Sequence, residues 1–295
     1  MTNICIMKIY KEVFTMFSLE TKKKILDSTE LFVLDMDGTF YLENDILDGS
    51  LDFLEAVKRA GKRYIFFTNN SSTSSEEYIK KLARMNCHIT SDMIMTSGDV
   101  MIKFLQTKYK DKSVYLLGTD PLRKSFENAG INLYDAELGV SVDGKRADRP
   151  DIVVVGFDKT LTYETLTNAC TYIRNGSTFL ATHLDINCPV KDGFIPDCGA
   201  ICAAIELSTG VKPRFVGKPF KETVEMIVAS TGVAAEKIAF VGDRIYTDVA
   251  TGVNNGAMGV LVLTGETKES DIPASEVQPD VVFASIKEMG ELLAE

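Results

Sequence analysis

Long apolar runs are missing from this chain. None approaches the roughly 18 residues that a membrane-crossing helix needs, so an integral membrane class built on helices is excluded. The opening stretch MTNICIMKIYKEVFTMFSLETKKKILDS carries charges every few positions and lacks the uninterrupted apolar core of a signal peptide, so a cytoplasmic protein is expected. Basic residues are also in short supply: 32 Lys plus Arg stand against 42 Asp plus Glu, for a formal charge of -10 and a pI of about 4.9. That balance opposes non-specific binding to nucleic acid or anionic membrane, and neither is expected as a partner. A small phosphorylated substrate stays admissible where a site supplies its own cations. Histidine is scarce, His88 and His183 being the only two, which argues against a zinc site. Cys5, Cys87, Cys170, Cys188, Cys198 and Cys202 form no CxxC pair, which fits reduced, mostly buried thiols rather than a disulfide frame. There is no repeat of fixed period and no low-complexity segment.

What is present is an alternation of strand and helix patterns from residue 31 onward, the mark of an α/β protein with a parallel sheet and crossover helices. At 295 residues, 45% of them hydrophobic, the chain is long enough for two domains. LFVLD is read as a first strand, followed by a helix with Leu51, Leu54 and Val57 on one face and Gly61 as its stop. RYIFFTN follows as a second strand, and Ser74 and Glu77, at capping-box spacing, open a helix that buries Ile79, Leu82 and Ala83. Residues 98–211 read as an inserted α/β cap domain, because most of its strands end on no polar residue of catalytic type. RFVGKP, IAFVGD, VLVLTG and DVVFAS then resume the first pattern. The expected division is an N-terminal extension over 1–28, a core over 29–97 and 212–295, and the cap between them.

Four apolar runs end on polar residues of one chemistry: LFVLDMDGT, IFFTNN, FVGKP and IAFVGDRIYTD. Ligands of open α/β sheets collect outside the carboxyl ends of the strands, so these ends belong to one site. Asp35 and Asp37 would repel each other unless a cation compensates or one carboxyl is protonated. Asp243 can join the same cation. Magnesium, which prefers oxygen ligands in an octahedron and keeps waters, suits two carboxylates, one backbone carbonyl, a phosphate oxygen and solvent, with Asp35, Asp37 and Asp243 as the candidate metal residues. Asp35 is the candidate nucleophile, through an aspartyl phosphate. Asp37 is the candidate general acid and base. Thr68, Asn69, Asn70 and the backbone at Gly38 are candidates for binding the phosphoryl oxygens, with Lys218 neutralising charge and Asp248 orienting Lys218 or the metal's outer ligands. Taken singly, DxDG is an acidic turn, TNN a helix-capping loop, GKP a turn and GDRIYTD a solvated loop. Their common order after buried strands favours catalysis.

DMDGT, TNN, GKP and GDRIYTD in this order resemble the four motifs of the haloacid dehalogenase superfamily, and DMDGTFYL with TNNSS is similar to its NagD-like, para-nitrophenyl phosphatase branch. The resemblance covers nearly all of residues 30–290. It implies a Rossmann-like core with a class II cap, Asp35 as nucleophile, Asp37 as acid and base, Thr68 and Lys218 as phosphate binders, and Asp243 as metal ligand. The segment 182–210 is similar to the family's cap loop, which selects the leaving group. Pyridoxal phosphatases of the branch present a histidine from this loop where Cys188 stands here, a departure that points away from pyridoxal phosphate. Asp185, Asn187 and Cys188 either touch substrate or pack on the cap core. His183 is expected to be a strand-end residue satisfied by its backbone neighbours. Relatives of this branch often pair through their caps, so a homodimer is the partner the resemblance implies. Competing readings are a phosphate-receiving signalling module, which would have no need of the inserted segment, and a non-catalytic metabolite-binding module.

Overall fold

The computed structural model describes residues 17–190 and 193–295. Cys5 and most of the expected N-terminal extension lie outside them. The described part of that extension is the helix Leu19–Ser28, started by Ser18, whose hydroxyl accepts the Thr21 N–H at 3.2 Å. Leu26 is its buried anchor, and Lys22 pairs with Glu288 of the C-terminal helix Ile286–Ala294 at 2.5 Å.

The chain separates into two compact units. The first takes the described residues up to Phe67, then Ile79–Met95 and Lys218–Glu295; the second takes Thr68–Tyr78 and Thr96–Gly217. Relative to the boundaries read from sequence, residues 68–78, 96–97 and 212–217 fall with the inserted segment.

The first unit is built on a six-stranded sheet in the order Val281–Phe283, Met258–Val262, Ile238–Gly242, Leu31–Leu34, Arg63–Thr68 and Ile94–Thr96. The strands whose pairing is resolved run parallel. Leu31–Leu34 and Ile238–Gly242 are buried at every position, as a parallel sheet covered on both faces requires. Apart from Ala239 and Gly242, their side chains are Leu, Ile, Val and Phe, each contributing about 1.5–3 kcal/mol by leaving water. The helix Ser50–Arg59 seals one face through Phe53, Leu54, Ala56 and Val57, with the Phe53 ring edge-on to Phe32 at 5.4 Å. Truncating Phe53 to Ala would cost roughly 3–5 kcal/mol. From Leu31–Leu34 the chain builds outward to Arg63–Thr68 on one side, and later to Ile238–Gly242 on the other. The order therefore reverses at the first strand, the place where ligands of such sheets sit.

The second unit has a four-stranded parallel sheet in the order Arg214–Phe215, Thr178–Ala181, Ile152–Val155 and Val114–Leu117. Its core gathers Val153, Val155, Phe157, Phe179, Ile201 and Ile205. Two hairpins belong to it, Tyr134–Asp135 with Val140–Ser141 and Asn187–Val190 with Gly193–Pro196. One sequence expectation is corrected here. RFVGKP does not resume the first sheet: Arg214–Phe215 pairs with Leu180 and Ala181 at the edge of the second. Only two residues are in strand, with Arg214 exposed and Phe215 partly so, and such a segment takes its partner from tertiary packing rather than from its own pattern.

Candidate active site

Adjacent parallel strands in register set the geometry. Leu34 stands opposite Val241, so the chain leaves both strands at one level, and Asp35 and Asp243 follow directly. The Asp35 N–H donates to the Val241 carbonyl at 2.9 Å, extending the ladder by one bond and fixing the direction of the turn. Gly38 completes that turn at φ +82°, and a Cβ there would lie 2.8 Å from Asp243 Oδ2, so both conformation and space require glycine.

Lys218 is 3% exposed and lies among acids. Its ammonium donates to Asp35 Oδ1 at 2.6 Å and to Asp248 Oδ1 at 2.5 Å, with the Phe67 carbonyl at 3.5 Å. Asp248 sits on the π-helical turn Ile245–Val249, and its other oxygen accepts the Arg244 N–H at 3.1 Å. Asp243 accepts the Glu266 N–H at 2.7 Å and the Thr39 hydroxyl at 3.4 Å. Asp35, Asp243 and Asp248 each offer an oxygen within 4.8 Å of the others.

Three carboxylates therefore cluster where one ammonium pairs with two of them, Asp35 and Asp248, and the protonation equilibria reflect it. Burial and the charge of Asp248 hold the Asp35 carboxyl well above the usual range against the pull of Lys218. Burial and Asp248 raise Asp243 to about 6. Burial alone would lower the Lys218 ammonium, but Asp248 and Asp35 outweigh it and keep it above its ordinary value. The residual negative charge, in an all-oxygen donor set, fits a hard divalent cation.

Asp37 lies in the same turn, open to solvent on one side. Crowding by protein still raises its carboxyl, opposed by Lys81, the Tyr41 hydroxyl and Arg244. Lys81 lies over the Tyr41 ring at 3.9 Å, a pairing across 40 residues that no local pattern signals.

Asp35, Lys218, Asp243 and Asp248 are thus brought together, with Asp37 and Gly38 in the adjoining turn. Thr68, Asn69 and Asn70 fall in the second unit. There the Thr68 hydroxyl accepts the Asn70 N–H at 3.2 Å, Asn70 Oδ1 accepts the Ser72 N–H at 2.9 Å, and Asn69 Nδ2 donates to Asp185 Oδ2 at 3.1 Å. Cys188 is partly buried in the hairpin and packs against the second unit's core. His183 corrects the expectation of backbone partners. Its ring nitrogens meet side chains: Nε2 lies 2.8 Å from Asp197 Oδ1, and Nδ1 lies 2.9 Å from Thr182 Oγ1 and 3.2 Å from Ser97 Oγ. Burial would lower this imidazole, but Cys198, Asp197 and Asp185 reverse that and bring it up to about 9. Asp197 is not among the residues expected from sequence, although an aspartate just before the apolar helix CGAICAAIELST is an N-cap signal.

With this geometry in view, two family models match. One, described as haloacid dehalogenase-like hydrolase, covers residues 32–132, and one described as HAD-hydrolase-like covers residues 215–289. The acid sugar phosphatase of Staphylococcus aureus is 32% identical over 264 residues, 90% of this chain and 96% of that protein. The chain belongs to the haloacid dehalogenase-like hydrolases. Among solved structures of the family, the 4-nitrophenylphosphatase of Thermotoga maritima is 46% identical with a TM-score of 0.83, covering 90% of this chain and 98% of that one. NagD from Escherichia coli K-12 is 26% identical with a TM-score of 0.79, covering 88% and 98%. Among the described residues of this haloacid dehalogenase-like chain, no helix is long and apolar enough to cross a membrane.

Proposed function

We propose that this protein is a magnesium-dependent phosphomonoester hydrolase that works through an aspartyl phosphate on Asp35. The observation that carries the reading is the convergence of Asp35, Asp243 and Asp248, with Lys218 paired to the first and the last, at the point where the sheet order reverses. Relatives named as an acid sugar phosphatase and a 4-nitrophenylphosphatase support a small phosphorylated metabolite as substrate.

Lys218 engages Oδ1 of Asp35, and Oδ2 carries no hydrogen bond among the described residues. Oδ2 is then the atom that attacks phosphorus, while the bond to the leaving oxygen breaks. Asp37, with its carboxyl raised, delivers its proton to that oxygen as the alcohol departs. The same carboxylate next takes a proton from water, which attacks the phosphorus of the acyl phosphate and returns Asp35 with free phosphate. Asp248 anchors Lys218 so that its charge stays on the nucleophile. Magnesium would be held by Asp35 and Asp243 with the Asp37 carbonyl, and would supply positive charge to the phosphoryl oxygens. Thr68, Asn69, Asn70, Gly38 and Cys188 remain the proposed substrate contacts.

Release of phosphate from 4-nitrophenyl phosphate tests this reading. Turnover should require magnesium and vanish in Asp35→Asn with the fold retained by circular dichroism. Metal-dependent turnover at the native rate in that variant would remove Asp35 as nucleophile. A chain that binds phosphate esters without releasing phosphate would be the non-catalytic module instead.

A further inference from the structure

The second unit contains a cluster that the phosphatase reading does not use. His183, Asp185 and Asp197 are all buried, and each offers a ligand atom within 4.8 Å of the other two. They come from two segments zipped together: the Gly199 N–H donates to the Asp185 carbonyl at 2.8 Å, and the Asp197 N–H donates to the Ile186 carbonyl at 2.9 Å. A Cβ at Gly199 would stand 2.1 Å from the Leu184 carbonyl oxygen, so only glycine lets the loop lie so close to the start of the helix Cys198–Thr209.

Two features separate this cluster from an ordinary buried network. Asp185 Oδ1 is buried and has no hydrogen-bond partner, although the residue is only 8% exposed. Such an atom is rare in a folded protein, because desolvating a carboxylate oxygen without a partner is costly. The charges also do not balance. Two carboxylates face one imidazole, and among the described residues no lysine or arginine pairs with either acid. Even an imidazolium would leave one negative charge uncompensated.

We propose that His183, Asp185 and Asp197 form a binding site for one divalent ion of the borderline transition-metal class, with zinc as its probe. A dication beside a neutral imidazole and two carboxylates brings the cluster to zero net charge, and Asp185 Oδ1 gains a partner. One nitrogen with two oxygens is a donor set suited to such an ion, and two aspartates make up for the scarcity of histidine noted in the sequence. Each ligand is already oriented from outside, as in established metal sites. Thr182 Oγ1 and Ser97 Oγ hold His183 Nδ1, Asn69 Nδ2 holds Asp185 Oδ2 at 3.1 Å, and the Cys198 N–H holds Asp197 Oδ1 at 2.6 Å. Nε2 of His183 and the Oδ1 atoms of both aspartates then face the ion, which takes the place of the proton between His183 and Asp197.

The test is zinc titration of chelator-treated full-length protein carrying Asp35→Asn and Asp243→Asn, which removes the other acid cluster and any dependence on turnover. Calorimetry should show about one equivalent bound, with a higher melting temperature. Adding Asp185→Asn, a near-isosteric change, should abolish that equivalent. Absence of binding in the double variant overturns the proposal, as does binding that survives Asp185→Asn, which would point to the cysteines. X-ray absorption of the zinc-loaded double variant is the second measurement, independent of whether the Asp185 variant folds. One imidazole with oxygen ligands upholds the site, and sulfur ligation refutes it. Loss of phosphatase activity in Asp35→Asn bears on neither outcome.

Discussion

Asp243→Asn should make the metal-free protein more stable while removing its activity. An ordinary native carboxylate has a lowered pKa and stabilises the fold above it; Asp243 does the reverse. Burial and Asp248 raise it from 3.8 to about 6, so the native state binds this proton more tightly than the unfolded chain does. The stabilising contribution is complete below the unfolded value and is lost as pH rises through the folded one. A shift of roughly 2 units at about 1.4 kcal/mol each makes the ionised group cost about 3 kcal/mol at pH 7.5. Asparagine keeps an acceptor for the Glu266 N–H and deletes the charge. For a chain of 295 residues the unfolding entropy is on the order of 0.6 kcal/mol per degree, so the variant should melt about 5 °C above the native protein in chelator at pH 7.5. Near pH 3, below the unfolded value of 3.8 as well as the folded one, the two should coincide. Saturating magnesium should reverse the order at pH 7.5, because only the native site binds it well. Scanning calorimetry with and without chelator reads all three conditions. A variant that melts at or below the native protein at pH 7.5 in chelator, or a gain of equal size at both pH values, would refute the charge argument.

Lys218→Met leaves Asp35 and Asp248 buried without their shared cation and should cost about 3–5 kcal/mol in urea unfolding at pH 8, less at pH 5, where Asp35, whose carboxyl burial holds high, takes up a proton. An equal loss at both pH values would count against the ion pairs as its cause. Gly38→Ala places a Cβ 2.8 Å from Asp243 Oδ2 at a positive φ that costs roughly 1–2 kcal/mol in other residues; magnesium titration of turnover should show a raised metal requirement, and an unchanged one would contradict the close approach. Asp37→Asn should slow alkyl phosphates far more than 4-nitrophenyl phosphate, and equal losses on both would remove Asp37 as the acid.

Much of the acid cluster was legible because Asp35 and Asp243 each end a run of buried apolar residues, a pattern that survives without knowledge of packing. Asp35 follows LFVL and Asp243 follows IAFVG, and the in-register pairing of those strands does the rest. The helix after the first strand was equally readable from Leu54 and Val57, which the structure buries, with Gly61 past its end. Where the deciding contact is distant, the pattern fails. Arg214–Phe215 carries too few residues to show a period, and its partners Leu180 and Ala181 come from another strand. The link from Lys218 to both Asp35 and Asp248 spans 183 and 30 residues, so the sequence leaves Asp248 between orienting Lys218 and orienting the metal's outer ligands until the ammonium is seen between the two acids. His183 depends in the same way on Ser97, 86 residues earlier.

The acid cluster also explains why stability and activity should part company in this chain. Replacing a buried ion network with apolar groups of similar volume is often neutral or stabilising, so Asp35, Asp243, Asp248 and Lys218 are poor choices for holding a fold together. Their excess negative charge makes sense only if something positive arrives, either a proton or a cation, and the all-oxygen donor set favours the cation near neutral pH. A site arranged this way is destabilised while it waits and relieved when loaded. The same substitution that raises the melting temperature in chelator should therefore be the one that loses the response to magnesium. If a variant in this cluster gained stability and kept full magnesium-dependent turnover, the charge excess would have some purpose other than holding the ion.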